Sequence, residues 1–293
     1  MESLDKHAYC ILAHNNFHQL QTLINCIDDE RNDIYLHIDK KAVKDYNELG
    51  GVSTRCSQLV VVKSTDIRWS DVSLCDAEVT IFQAVMDSGI AYNRIHLISG
   101  SDLPLVSQDE IHRLFLNNNK EYIDVVDARQ FEKRLKYYHF FVKYRRNNPL
   151  IDFARRVLLL VQLPFVNRRK KSRLKYAYGS EWCSLTYEAV KTIVEKYFKV
   201  RPEFRYTTCS DEHYKQMILL SAGNFEFAKE GCLRYVDFSD HNPSPRVLTV
   251  QDLNKIMSSH CIFARKFDER IDSEVIKLIV KIVANKSYVT INK

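Results

Sequence analysis

The chain has 293 residues, 45% hydrophobic and 27% charged, and its 43 Lys/Arg against 37 Asp/Glu leave a net charge of +6. That is ample for a core in one large domain or two fused halves, and it excludes a disordered chain. A positive excess this mild does not by itself indicate nucleic acid. Met1 to Lys6 is too short and too polar for a signal peptide. Ala8 to Ala13 is a short apolar run and reads as a buried strand; His14-Asn15-Asn16 turns the chain, and Phe17, Leu20, Leu23, Ile24 and Ile27 follow at helical spacing. Ile34 to Ile38, ending at Asp39, is the second strand, and Leu59 to Val62 the third. Ser73 to Ser88 predicts a long helix, Arg94 to Ile98 a fourth strand ending in Ser99-Gly100-Ser101-Asp102, and Asp109 to Asn117 another helix.

Strands alternating with helices predict an α/β fold with a mostly parallel sheet covered by helices on both faces. Ligands in such sheets bind at the C-terminal ends of the strands, where His14, Asp39 and Asp102 lie. In the second half, Glu121 to Val126 reads as a strand, followed by a basic, aromatic stretch from Arg129 to Arg146. The longest apolar run, Val157 to Val166, falls short of the ~20 residues that span a bilayer. It lies between Arg155-Arg156 and Arg168-Arg169-Lys170-Lys171, so residues 155–171 read either as a peripheral contact with an anionic membrane or as a buried helix with solvated flanks. Tyr187 to Tyr197 predicts a helix, and Asp211-Glu212 opens another through Leu220. No Gly/Ser linker divides the chain, and 1–293 reads as a single unit with a nucleotide-sugar half (1–120) and an acceptor and catalytic half (121–293). The eight cysteines, among them Cys10 in an apolar strand, form no Cys-x-x-Cys pair, which argues against a zinc ribbon and suits a reducing, cytoplasmic setting.

Six segments then occur in order: Ile34-Tyr35-Leu36-His37-Ile38-Asp39-Lys40-Lys41, Arg68-Trp69-Ser70, Ile98 to Pro104, Gly179-Ser180-Glu181-Trp182, Ser210-Asp211-Glu212 and Phe263 to Asp268. Together they resemble the core-2/I-branching β-1,6-N-acetylglucosaminyltransferases and peptide O-xylosyltransferases of glycosyltransferase family 14. The resemblance implies a GT-A-like nucleotide-diphospho-sugar transferase fold, a UDP-sugar donor, inversion and independence from divalent metal. It also implies Glu212 as catalytic base, Arg246 and Lys266 on the donor diphosphate, and Ala13, His14 and Asp39 in the nucleoside pocket. The acceptor would be a glycan or a lipid-linked saccharide, with no nucleic acid and no resident cofactor.

The chemistry fits those residue types. A Glu beside an acceptor hydroxyl acts as general base, although a carboxylate in the first turn of a helix is also a simple favourable end charge. No Asp-x-Asp follows the second strand, so side chains must meet the leaving charge: Arg as a fork, Lys as a point charge. Asp39 accepts from the ribose or the uracil edge, or caps its turn; Asp102 contacts the sugar, or serves the turn before Pro104. Trp69 stacks or packs in the core, Trp182 shapes a sugar face, and Glu181 binds an acceptor hydroxyl. The leading expectation is an N-acetylglucosaminyltransferase using UDP-GlcNAc. The alternatives are a UDP-xylose enzyme and a non-catalytic carbohydrate- or nucleic-acid-binding protein.

Overall fold

The computed structural model describes residues 5–144 and 148–291. In chain order the elements are β1 (His7–Ala13), α1 (Phe17–Ile27), β2 (Asn32–Ile38), α2 (Val43–Glu48), β3 (Gln58–Val61), α3 (Val72–Asp87), β4 (Arg94–Ser99), β5 (Leu103–Pro104), α4 (Gln108–Phe115), α5 (Lys133–Lys136), α6 (Pro149–Gln162), β6 (Cys183–Leu185), α7 (Tyr187–Phe204), α8 (Tyr214–Ala222), β7 (Arg234–Val236), α9 (Leu253–Met257), β8 (Phe263–Arg265) and α10 (Ser273–Ile291). The central sheet has the order β3-β2-β1-β4-β6, parallel except for β6, which pairs antiparallel with β4. A second sheet, β5-β8-β7, adjoins it, and each sheet takes strands from both halves of the sequence.

Strand β1 shows why the apolar runs read as continuous. Ala8, Cys10 and Leu12 point into the core shared with α3, α7 and α8, while Tyr9, Ile11 and Ala13 point into the core shared with α1, α4 and α10. A strand buried on both faces needs apolar residues at every position. The helices start where their caps dictate: the Asp71 side chain accepts from Ser73 N, Ser107 and Glu110 form a capping box, and Thr186 accepts from Ala189 N. At the N-terminal ends of the strands His7, His96 and His112 are buried together, with His7 stacked 3.9 Å from His112 and 3.1 Å from His96 Nε2 through its Nδ1.

Four sequence readings change. Glu121 to Val126 is not a strand but three separate bridges, Glu121 to Phe227, Tyr122 to Ser184 and Val126 to Tyr178. Its ladder is interrupted at Asp124, whose carboxylate turns to accept from Cys232 N at 2.9 Å. Helix α7 runs past Tyr197 to Phe204, carrying Pro202 in its last turn. Asp211 and Glu212 lie in a 3-10 turn, and α8 starts at Tyr214. The apolar run is not a buried helix: α6 has no buried residue. Of the basic, aromatic stretch, Arg145 and Arg146 lie outside the described residues. No helix among the described residues is long and apolar enough to cross a membrane.

Candidate active site

A cleft of about 1430 Å³ opens over the C-terminal ends of β1, β2 and β4. It lies where an α/β sheet leaves strand ends and loop backbones uncovered. Ala13, His14, Asp39, Trp69, Glu181, Trp182, Glu212 and Lys266 all line it; Asp102 and Arg246 do not. On the β1–β2 side, Asp39 accepts from Lys41 N at 3.0 Å and pairs with its ammonium at 2.7 Å. The turn-capping use of Asp39 and its place in the cleft are therefore combined in one carboxylate.

Glu212 is positioned by backbone on two sides. Cys209, in the left-handed region at φ 52°, donates its N–H to Ser70 O at 3.0 Å, which ties the Ser210–Glu212 turn to the Arg68-Trp69-Ser70 loop. Gly179 N donates to Glu212 O at 3.0 Å. Only glycine fits there, because a Cβ at 179 would run into the backbone carbonyl of Asp124. The Glu212 carboxylate receives a charge-assisted hydrogen bond from Arg134 Nη1, with the two side chains 28% and 23% exposed. Arg134 is itself stacked 4.5 Å from the Phe131 ring. Glu212 thus faces the cleft with its carboxylate held by Arg134.

Behind it lies a buried acidic cluster. Glu78 and Lys215 form a fully buried ion pair, and Tyr214 Oη donates to Glu78 at 2.6 Å. Burial, then the charges of Glu212 and Glu78, push Asp211 up to about 7. Burial, then Asp211 and Glu78, raise Glu181 well above the carboxylate range. Burial also raises Glu78, with Lys215 opposing. Burial works against the Lys215 charge, but Glu78 outweighs it and the ammonium pKa is raised. Glu78, Glu181 and Asp211 thus share one buried cation, and burial favours the protonated forms of Glu181 and Asp211.

Three expected contacts are placed differently. Arg246 is gripped by two carboxylates: Asp252, with Nη1 to Oδ2 at 2.9 Å, and Asp237 at 2.9 Å. Only its neighbours Pro245 and Val247 reach the cleft. The cause is local, since Asp252 is fixed as the partner of Thr249 N at 2.9 Å. Asp102 is completely buried, accepting from Ser99 N at 3.0 Å and lying 3.5 Å from Arg265 Nε, so its turn role prevails. Trp182 is 8% exposed and carries the Arg265 guanidinium 4.0 Å over its ring, which leaves that face closed to a sugar. Arg265 and Arg234, both lining the cleft, were not singled out from sequence, nor were Arg134 and Tyr178. The only signal for Arg134 was its place in the basic, aromatic stretch.

A mixed α/β fold with a cleft over its strand ends, walled by cations and by carboxylates that include the part-exposed Glu212, is the architecture of an enzyme that binds a polar ligand at its strand ends. Residues 7–260 match the family described as Core-2/I-Branching enzyme, and the chain belongs to that family of glycosyltransferases. The match includes Glu212 and Arg246 and ends before Lys266. Among solved structures it is similar to mouse xyloside xylosyltransferase 1 in its apo form, at 11% identity and a TM-score of 0.37 over 88% of this chain and 97% of that one. It is also similar to the apo-form glycosyltransferase GlyE of Streptococcus pneumoniae TIGR4, at 8% identity and a TM-score of 0.38 over 96% of this chain and 64% of that one. No curated protein sequence matches.

Proposed function

We propose that this cleft transfers a sugar, N-acetylglucosamine, from a UDP-sugar to a glycan hydroxyl with inversion, and does so without a divalent metal. The observation that carries the reading is Glu212: its part-exposed carboxylate lies at the cleft wall and is held there by Arg134. Asp211 is buried and Glu181 is driven toward its protonated form, so neither competes well as a base near neutral pH. Glu212 takes the proton of the acceptor hydroxyl as that oxygen bonds to the anomeric carbon. The bond from that carbon to the diphosphate breaks on the opposite side, and the electron pair leaves on UDP. Lys266, in the cleft wall, meets the departing charge as a point cation. Ala13, His14 and Asp39 receive the nucleoside. All eight cysteines are free thiols, which fits a cytoplasmic setting.

The test is turnover of a UDP-sugar panel with EDTA present. Transfer from UDP-GlcNAc that survives chelation supports the reading, and preference for UDP-xylose transfers it to a xylosyl donor. Glu212→Gln is expected to lower kcat by about 10²–10⁴-fold with UDP affinity retained. Unchanged turnover in that variant removes Glu212 as base.

A further inference from the structure

Helix α6 is inside out. At helical spacing, Ile151, Asp152, Arg155, Leu159 and Gln162 form its half-covered face toward the protein, and Asp152 pairs there with Arg155 at 2.6 Å. The opposite arc is apolar and open, with the exposed Arg156 at its border: Leu150 is 77% exposed, Phe153 66%, and Leu160 and Val161 64% each, with Phe165 88% exposed just beyond the helix. A soluble surface helix places its polar face outward, and a contiguous apolar patch of this kind marks a contact site.

Charge identifies the occupant. Residues 129–175 hold fifteen Lys/Arg and two Asp/Glu, a net +13, which leaves −7 for the rest of a chain whose total is +6. Lys170, Lys171, Arg173 and Lys175 follow the apolar arc directly and are exposed. An apolar helix face bordered by cations on an otherwise acidic protein is complementary to an anionic lipid surface, where the helix lies in the interfacial plane.

We propose that α6 and its basic flanks are a docking surface for an anionic bilayer, with Leu150, Phe153, Leu160, Val161 and Phe165 inserted among the lipids. The surface is fixed to the site. Gln162 is bonded in both directions to the Tyr138 backbone, at 2.7 and 3.0 Å, and Arg168 reaches Tyr137 O at 3.2 Å. That same segment carries Arg134, the partner of Glu212. Docking therefore holds the segment that carries Arg134 close to the bilayer surface, where a lipid-linked saccharide presents its hydroxyls; this coupling rests on Glu212 being the base.

The test is flotation of the full chain with phosphatidylcholine vesicles with and without phosphatidylglycerol, at low and high salt and without any sugar present. Expected is flotation with the anionic vesicles only, weakened by salt. The triple variant F153S/L160S/F165S, altered only at exposed positions, is expected to lose binding on the order of a hundredfold while its UDP-sugar hydrolysis and melting temperature stay at the wild-type level. Binding by K170Q/K171Q to the anionic vesicles is expected to fall with an unchanged melting temperature. Wild-type protein that does not float with anionic vesicles overturns the proposal, as does a triple variant that floats equally well. A wild-type dimer that the triple variant abolishes also overturns it, because the face then belongs to a second copy. Since vesicle binding is read without substrate, its failure is separable from failure of the transferase reading.

Discussion

Lys215→Met tests the buried charge arrangement behind the site. Lys215 and Glu78 are both wholly inaccessible, and Glu181 and Asp211 crowd the same cation. Removing the ammonium leaves Glu78 two routes. It stays charged and unpaired, at about 3–5 kcal/mol, or it takes up a proton. The second route starts from an ordinary value of 4.5 and costs about 1.4 kcal/mol per pH unit above it, hence roughly 2 kcal/mol at about pH 6 and roughly 5 at about pH 8. The cheaper route governs, so the destabilisation of the variant grows as pH rises across that interval. The sign follows from Glu78 having a folded pKa raised above its unfolded one, which makes the folded state bind the extra proton and lose stability at higher pH. Urea unfolding followed by circular dichroism reads this directly, with wild type as the reference at each pH. The double variant E78Q/K215M removes both charges and leaves Tyr214 a hydrogen-bond acceptor, so it is expected to recover most of the loss and to show little of the pH dependence. Equal destabilisation of Lys215→Met at both pH values, or a double variant no better than the single one, refutes the reasoning.

Further expectations concern the cleft and the sheet. Arg134→Leu is expected to lower kcat about tenfold or more with UDP binding unchanged, since it releases the carboxylate of Glu212 and touches no part of the nucleoside pocket; single-turnover transfer and UDP titration separate the two. Gly179→Ala is expected to cost about 2 kcal/mol or more, because the added methyl group drives Asp124 and the Glu212 turn apart; thermal unfolding measures it. The buried histidines predict acid sensitivity. Burial, then Arg31, lowers His112 from 6.5 to about 4. Its folded pKa lies below its unfolded one, so its contribution is present above pH 6.5 and is lost as pH falls toward 4, at up to about 1.4 kcal/mol per unit. His112→Gln is expected to flatten the urea-midpoint profile between about pH 6.5 and 5.

What sequence resolves here is what repeats along the chain. Strands β1, β2 and β4 and helices α1 and α3 are regular apolar patterns of sufficient length, and the strand ends place Ala13, His14 and Asp39 in the cleft by topology alone. Glu212 was legible through its motif. The partners that define its state were not, because Arg134 is 78 positions away in a segment of short turns with no periodicity. Glu78 is likewise separated by 137 positions from the lysine that neutralises it, and reads in sequence as an ordinary helix glutamate. The surroundings of Asp102 and Trp182 were hidden for the same reason: both are shaped by Arg265, which joins them through β8 from the far end of the chain. The segment 121–126 fails as a strand because Asp124 bonds across to Cys232, a contact with no local signature.

Arg246 sharpens the question of how the diphosphate is met. Its guanidinium already has two carboxylate partners, Asp237 and Asp252, so contact with a diphosphate requires it to give up charge-assisted bonds. Lys266 itself lines the cleft, where the Arg246 side chain does not. The two cations are therefore expected to differ in kind. Lys266→Met is expected to weaken UDP binding and lower kcat. Arg246→Met removes the guanidinium from between Asp237 and Asp252 and leaves Asp237 only the exposed Lys255 at 4.0 Å, so its main effect is expected on the melting temperature and on the segment 243–247 that it anchors. Isothermal titration with UDP alongside thermal unfolding distinguishes them. If Arg246→Met loses UDP affinity as strongly as Lys266→Met while melting like wild type, Arg246 leaves its carboxylates to reach the donor, and the ion pair seen here is the resting state of a diphosphate ligand.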